Sequence, residues 1–131
     1  MIIDSSALLA IMFAESDAAT YARAIRAARE RRISAVNYVE AAVVIDARHD
    51  PVASRRFDDW MREAGITIEP LDENQARVAR EAYRDYGRGS GHPARLNFGD
   101  CFAYALARYR AEALLFKGDD FIHTDIEAAK T

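Results

Sequence analysis

The amino-acid sequence predicts a three-layer α/β/α sandwich with a short parallel sheet. The first observation is that short apolar runs alternate along the chain with longer segments of helical periodicity. The second is that helices separate the strands, which implies parallel strands joined by right-handed crossovers, with helices on both faces. The third is the length of 131 residues, which suits one domain over residues 1–131.

Four short segments have the composition of strands. Three are mainly apolar runs, and the segment at 66–69 alternates apolar and polar residues. In chain order, the predicted strands lie at residues 1–3, 33–36, 66–69 and 113–116.

Six helical segments are predicted around these strands. They cover residues 5–14, residues 17–31, a segment with Val36, Val39, Val43 and Val44 on one face, a segment after Pro51, residues 73–86, and a segment from Asn97. Pro51 suits the first turn of a helix, Gly65 ends that helix, and Asp72 can cap the next one. The sequence GRGSGHPAR, residues 87–95, is the one obvious loop.

Composition excludes several classes of protein. Half of the residues are apolar and 30% are charged, which is typical of a folded domain rather than a disordered one. The net charge of −3 argues against nucleic-acid binding through bulk positive charge, but it leaves room for a local basic patch. A single cysteine, Cys101, indicates a reducing compartment, the cytoplasm. The apolar start has no preceding Lys or Arg and is interrupted by Asp4, so neither a signal peptide nor a membrane span is expected.

Acidic residues follow the predicted strands at the edge where parallel sheets bind ligands. Asp4 follows the first strand, Glu40 lies one or two helical turns beyond the second, and Asp119 and Asp120 follow the last. Asp100 lies in the first turn of the Asn97 helix. Because ligands gather at the carboxyl ends of parallel strands, we expect these acids to converge.

Each acid alone also has a simpler structural explanation. Asp100 is the third residue after the predicted cap Asn97, where the helix dipole favours a carboxylate. Glu40 stands at the same offset from Asn37, which resembles a capping box. Asp4 can simply end the first strand, and the Gly-Asp-Asp sequence at 118–120 suits a turn.

Two details favour a shared site. Glu40 shares a helix face with three valines, and Asp100 shares one with Ala103, Tyr104 and Ala107, so neither carboxylate is expected to point freely into water. Close, partly buried carboxylates need protons or a counter-ion. An all-oxygen donor set suits Mg²⁺ or Mn²⁺, whereas the three histidines and Cys101 show no zinc-binding spacing.

Four ordered motifs carry a resemblance to a known family. The stretches IIDSSALLAI, ISAVNYVEA, LNFGDCFAYALA and LLFKGDDF resemble the PIN-domain ribonucleases, specifically the VapC toxins of bacterial toxin-antitoxin pairs, over nearly the whole chain. The resemblance implies Mg²⁺- or Mn²⁺-dependent endonucleolytic cleavage of RNA. It matches Asp4, Glu40 and Asp100 to the metal-binding and catalytic acids. Asp119 is the first choice and Asp120 the second for a fourth acid in a shortened turn.

The same resemblance implies roles for neighbouring side chains and for partners. Ser5 and Ser6 match the hydroxyl residues that orient the first acid or a metal-bound water. The partners would be RNA, a second copy of the chain, and a VapB-type antitoxin whose C-terminal segment lies near the acids.

Other basic and apolar residues also have predicted roles. Basic residues of the glycine-rich loop and the last turn are predicted to flank the site and position phosphates, unless they are simply solvated: Arg88, His92, Arg95 and Lys117. The row Arg23, Arg26 and Arg29 is expected to be a solvated helix face. The apolar residues 7–13 are predicted to form a partner surface, to which Phe57, Trp60 and Met61 contribute unless they belong to the core.

Two other functions compete with a nuclease. A non-catalytic PIN-like scaffold that binds RNA or protein would keep the same fold. A phosphohydrolase of the haloacid dehalogenase type requires a second Asp two residues after the first, and Ser6 occupies that position. The sequence also contains neither a Gly-x-Ser-x-Gly elbow nor a phosphate-binding Walker loop.

Overall fold

Four very short strands form one parallel sheet in the computed structural model, which describes residues 1–131. The spatial order is β3-β2-β1-β4. Ile2 is paired with both Arg32 and Leu114, so β1 is central to the sheet. The strands are β1 (Ile2–Ile3), β2 (Arg32–Ser34), β3 (Thr67–Glu69) and β4 (Leu114–Leu115).

Six α-helices connect the strands in the predicted order. They are α1 (Ser5–Met12), α2 (Ala18–Ala27), α3 (Ala35–Asp46), α4 (Pro51–Glu63), α5 (Glu73–Tyr86) and α6 (Phe98–Arg110). The sequence does not predict the short 3₁₀ helix over Asp120–His123, because a single tight turn has no hydrophobic period to reveal it.

The sheet separates two hydrophobic layers, which confirms the predicted three-layer sandwich. Ile2 and Leu114 are fully buried among residues of α5 and α6. Ile3, Ile33 and Leu115 are buried on the opposite face, among residues of α1 to α4. Alternate residues of each strand therefore serve opposite layers, as the pleat of a β-strand requires.

Local capping fixes several of the helix ends. The Oδ1 atom of Asp72 accepts a hydrogen bond from the backbone N–H of Gln75 at 2.8 Å, which starts α5. The Oδ1 atom of Asp50 accepts from the N–H of Val52 at 3.0 Å before Pro51 opens α4. Gly65 has a φ of 62°, a left-handed conformation that ends α4. These ends agree with the predicted signals.

The predicted valine face of α3 is wrong. Val39, Val43 and Val44 are 55%, 60% and 41% exposed, and the buried residues of this helix are Asn37, Ala41 and Ile45. Apolar residues surround α3 on nearly every side, so periodicity alone does not select the buried face. The face is selected by packing of α3 against α1, α4 and α6.

The apolar run at residues 7–13 is covered largely by its own chain. Ala7, Leu8 and Ala10 are fully buried, and the other residues of this run are half-buried against the same core. Phe57 and Met61 belong to that core as well. The neighbouring helices α2 and α3 supply the cover that an isolated helix would lack.

None of the helices has the length and apolar character needed to cross a membrane.

Candidate metal and catalytic site

Two buried carboxylates lie at the carboxyl edge of the sheet. Asp4 follows β1 directly and caps α1, and its exposed fraction is 2%. Asp100 is the third residue of α6, and its exposed fraction is 8%. Like charges repel each other. After burial, the charge of Asp4 contributes to the raised pKa of Asp100.

Ser6 holds one oxygen of Asp4 and leaves the other free. The Oδ2 atom of Asp4 accepts from the Ser6 backbone N–H at 2.9 Å and from the Ser6 hydroxyl at 2.5 Å. The Ser6 hydroxyl in turn accepts from the backbone N–H of Lys117 at 3.0 Å, which links the start of α1 to the segment after β4. The Oδ1 atom of Asp4 is buried with no hydrogen-bond partner. Burial raises the pKa of Asp4, the bonds from Ser6 oppose that rise, and the charge of Glu40 adds to it.

Glu40 reaches the same edge from the middle of α3. Its Oε1 atom accepts from the Ser5 hydroxyl and, at 3.4 Å, from Nδ2 of Asn37. The expected capping box between Asn37 and Glu40 is absent, because Ser34 caps the helix through the backbone N–H of Val36 at 3.3 Å. Asn37 is therefore inside the helix and contacts Glu40 as a neighbour three residues away.

Asp100 does form the capping box predicted for it. Its Oδ2 atom accepts from the backbone N–H of Asn97 at 2.9 Å, and Oδ1 of Asn97 accepts from the N–H of Asp100 at 2.9 Å. The pKa of Asp100 is raised to about 7, mainly by burial and in smaller part by the charges of Asp4, Asp120 and Glu40. The cap fixes the position of this carboxylate, but it does not neutralise its charge.

The turn after β4 brings Asp120 into electrostatic range of Asp100. Both Asp119 and Asp120 are exposed, and Asp120 is the first residue of the 3₁₀ helix. After burial, which is the largest cause, the charge of Asp120 contributes to the raised pKa of Asp100. Both acids of the turn stay candidates for the fourth acid, and the coupling of Asp120 to Asp100 is an observation in favour of Asp120.

The residues at this edge fit a hard divalent cation. No three acidic, histidine or cysteine side chains stand close enough together to form a finished ligand cluster. Mg²⁺ retains several waters and is commonly held by one or two carboxylates, so it does not need such a cluster. The Oδ1 atom of Asp4 is buried and has no hydrogen-bond partner, so a bound cation would offset the cost of burying it.

Two of the four predicted RNA-binding side chains are engaged elsewhere. The Lys117 ammonium bonds Glu15 and, at 3.1 Å, Oδ1 of Asp17. His92 packs its ring edge-on to Tyr86, with centroids 4.7 Å apart. Its Nδ1 atom accepts from a backbone N–H in the same loop at 3.1 Å. Arg88 and Arg95 are exposed and have no side-chain partner, so they are the available cations of this loop.

Cys101, next to Asp100, lacks the lowered pKa that is typical of a nucleophilic thiol. Burial and the Asp100 charge raise the pKa of its thiol to about 12, so the thiolate is scarce at neutral pH.

Two contacts around Glu40 are not predicted by the sequence. The sequence suggests Asn37 only as a cap, although its offset of three residues from Glu40 is a usable signal for a side-chain contact. The close approach of the Glu40 carboxylate to Gly99 has no local signal in the sequence.

The chain is similar to known proteins along its whole length. Residues 1–127 match the PIN domain. Over 129 residues the chain is 55% identical to a Mycobacterium tuberculosis protein named Ribonuclease VapC28, with 98% of this chain and 97% of that protein covered. It is 52% identical over 131 residues to Ribonuclease VapC42 of the same organism, with both chains covered fully.

Solved structures share the fold at low sequence identity. One is VapC20 of Mycobacterium tuberculosis, described as a Sarcin-Ricin loop cleaving toxin. Its TM-score is 0.75 at 16% identity, with 95% of each chain covered. Another is a toxin-antitoxin complex from Klebsiella pneumoniae. Its TM-score is 0.67 at 18% identity, with 92% of this chain and 88% of that chain covered.

The chain belongs to the PIN domain family. Within that family it stands with the VapC proteins, to which it is similar along its whole length.

The raised pKa of Asp100 predicts how the stability of the metal-free protein depends on pH. Between about pH 4 and pH 7 the folded state holds this proton more tightly than the unfolded chain, for which the pKa is about 3.9. The free energy of unfolding in chelator should therefore fall as pH rises through this window, by up to about 4 kcal/mol from this group. Asp100→Asn should fall less steeply and be more stable than the parent at pH 8.

Urea unfolding from pH 4 to pH 8 measures this difference. Asp119→Asn removes an exposed acid and serves as the matched control, with the parent's profile expected. Identical profiles for the parent and Asp100→Asn would show that Asp100 ionises normally in the fold.

Proposed function

We propose that the protein is a toxin-type endoribonuclease that hydrolyses RNA phosphodiester bonds and depends on Mg²⁺ or Mn²⁺. The observation that supports this most strongly is the pair of buried, charge-coupled carboxylates, Asp4 and Asp100, with one carboxylate oxygen left unpartnered. The names of the VapC relatives as ribonucleases agree with the proposal.

In this proposal the acidic side chains bind the cation, and the neighbouring serines position the acids. Asp4, Asp100 and Glu40 would hold the ion directly or through its retained waters, with Asp120 as the fourth acid. When bound, a divalent ion lowers the pKa of a coordinated water and offsets charge on a phosphate. Ser6 orients Asp4, and Ser5 orients Glu40, so the two serines predicted beside the first acid serve different carboxylates.

RNA needs positive charge near a site that is otherwise acidic. Arg88 and Arg95 can contact phosphates because both are exposed and unpaired. Gly89 and Gly91 each have a φ of 85°, and even an added Cβ atom at either position would meet nothing within 4 Å. The backbone between the two arginines is therefore open to a ligand. Phosphate contacts of this kind position a strand without reading its sequence.

Replacement of single acids tests the nuclease proposal. In an RNA-cleavage assay with Mn²⁺, Asp100→Asn should lose at least about 100-fold in rate, since loss of supporting groups alone typically costs 10–100-fold. Asp120→Asn should lose more activity than Asp119→Asn, because the charge of Asp120 acts on Asp100.

Each variant's thermal unfolding midpoint serves as the fold control. Full cleavage by a folded Asp100→Asn would reject the nuclease site, and the PIN-like binding scaffold would then be favoured. Equal losses of cleavage activity in Asp119→Asn and Asp120→Asn would reject Asp120 as the fourth acid.

We further propose two protein partners, a second copy of the chain and a VapB-type antitoxin. Val39, Val43 and Val44 form an exposed apolar strip on α3, and a second copy covering it would remove that surface from water. The acidic edge offers a partner for a basic side chain of the antitoxin, which would compete with the cation. A fold neighbour is described as a toxin-antitoxin complex, in agreement with this proposal.

Sedimentation of a charged variant tests the valine strip. The parent should sediment as a dimer, and Val43→Glu should sediment as a monomer with an unchanged circular dichroism spectrum. Val52→Glu, at an equally exposed position on α4, should remain a dimer. A monomeric parent, or a dimeric Val43→Glu, would exclude this interface.

A further inference from the structure

We infer that Gly99 is a positioning residue, because the Glu40 carboxylate occupies the space that a side chain at position 99 would fill. The inference rests on the proposed function for the role of Glu40, but the contact itself is a property of the fold. Gly99 is the second residue of α6, directly before Asp100. One helical turn thus sets the positions of two of the acids.

The approach of Glu40 to Gly99 leaves no room for a methyl group. A Cβ atom placed on Gly99 would lie 2.7 Å from Cδ of Glu40 and 2.9 Å from its Oε1 atom, and closer still to Oε2. Real Cβ atoms essentially never come within 3.0 Å of such neighbours. Any residue other than glycine at position 99 therefore has to displace the carboxylate.

Backbone conformation does not explain the glycine. Gly99 lies within a regular helix, and its φ is not in the left-handed region that favours glycine. Glycine in a helix is unfavourable relative to alanine, because it loses more backbone freedom on folding. The close approach of Glu40 supplies a reason for a residue that the helix itself disfavours.

Asn37 contacts both the Glu40 carboxylate and the backbone of Gly99. Its side chain is fully buried, and its Nδ2 atom donates to the backbone carbonyl of Gly99 at 2.9 Å. The same nitrogen lies 3.4 Å from Oε1 of Glu40, which the Ser5 hydroxyl also contacts. Asn37, Ser5 and the bare Cα of Gly99 together hold Glu40 against the first turn of α6.

Alanine at position 99 should disturb the site and leave the fold intact. The atoms that would clash belong to the end of a flexible side chain, so Glu40 can rotate away without movement of the helix. Alanine also favours the helix over glycine. The expected variant is a folded protein in which Glu40 no longer meets Ser5 and Asn37.

A double-mutant cycle tests the contact in the metal-free protein. The four proteins are the parent, Gly99→Ala, Glu40→Ala and the double variant, and the readout is the thermal unfolding midpoint in chelator. Alanine at 99 should raise the midpoint more in the Glu40→Ala background than in the parent, because only the parent loses the bonds of Glu40. An equal rise in both backgrounds would overturn the inference.

Mn²⁺ affinity tests the positioning role, with the free Mn²⁺ measured by electron paramagnetic resonance. Gly99→Ala should weaken binding about 10-fold or more in the parent, and it should have no further effect in Glu40→Ala. Gly99→Ala combined with Glu40→Asp, which is one methylene shorter, should recover part of the affinity.

Two results would overturn the positioning role. One is a folded Gly99→Ala with the parent's affinity, and the other is an equal loss in both backgrounds. Failure of the proposed function is distinguishable, because the parent itself would then bind no Mn²⁺ while the unfolding cycle still reported the contact between positions 99 and 40.

Discussion

The burial of two like-charged carboxylates at one edge of the sheet is the constraint on which the rest of the site depends. Asp4 and Asp100 are both almost fully buried, and burial is the main reason that the pKa of each is raised. Hydrogen bonds from Ser6 and Asn97 fix these side chains, yet they do not remove the repulsion. A cation at this edge would relieve both the desolvation and the repulsion.

The shortness of the strands is what lets so few residues build this arrangement. β1 has two residues, so the acid that follows it begins α1 immediately and caps that helix. In α6, a single turn supplies the cap Asn97, the gap at Gly99 and the carboxylate of Asp100. The same side chains therefore have structural roles and the proposed functional ones, and the simpler explanation of Asp100 as a helix-start residue holds alongside the proposal.

Local signals in the sequence are enough to predict the fold and the order of its elements. The range predicted for α5, residues 73–86, is the observed one, because Asp72 and Gly87 mark its ends through local hydrogen bonding and backbone chemistry. Family motifs indicate Asp4, Glu40 and Asp100, and the carboxyl-edge rule explains why acids so distant in the chain lie at one edge of the sheet.

Tertiary contacts decide what the sequence does not predict. The valines of α3 suggest the wrong buried face, because that helix is apolar on nearly every side. Lys117 is paired with Glu15 and Asp17 from the segment between α1 and α2, a contact spanning about a hundred residues that no spacing reveals. The contact of Gly99 with Glu40 crosses between α3 and α6 and is equally invisible to local patterns.

The most direct test of the central claim is the shift in thermal unfolding midpoint on adding Mn²⁺ to the parent and to Asp100→Asn. A ligand at 100 times its dissociation constant adds about 2.7 kcal/mol to the free energy of unfolding. We expect a clear upward shift for the parent and little or none for Asp100→Asn. No shift for the parent, or equal shifts for both proteins, would contradict the claim that the buried carboxylates are there to hold a divalent cation.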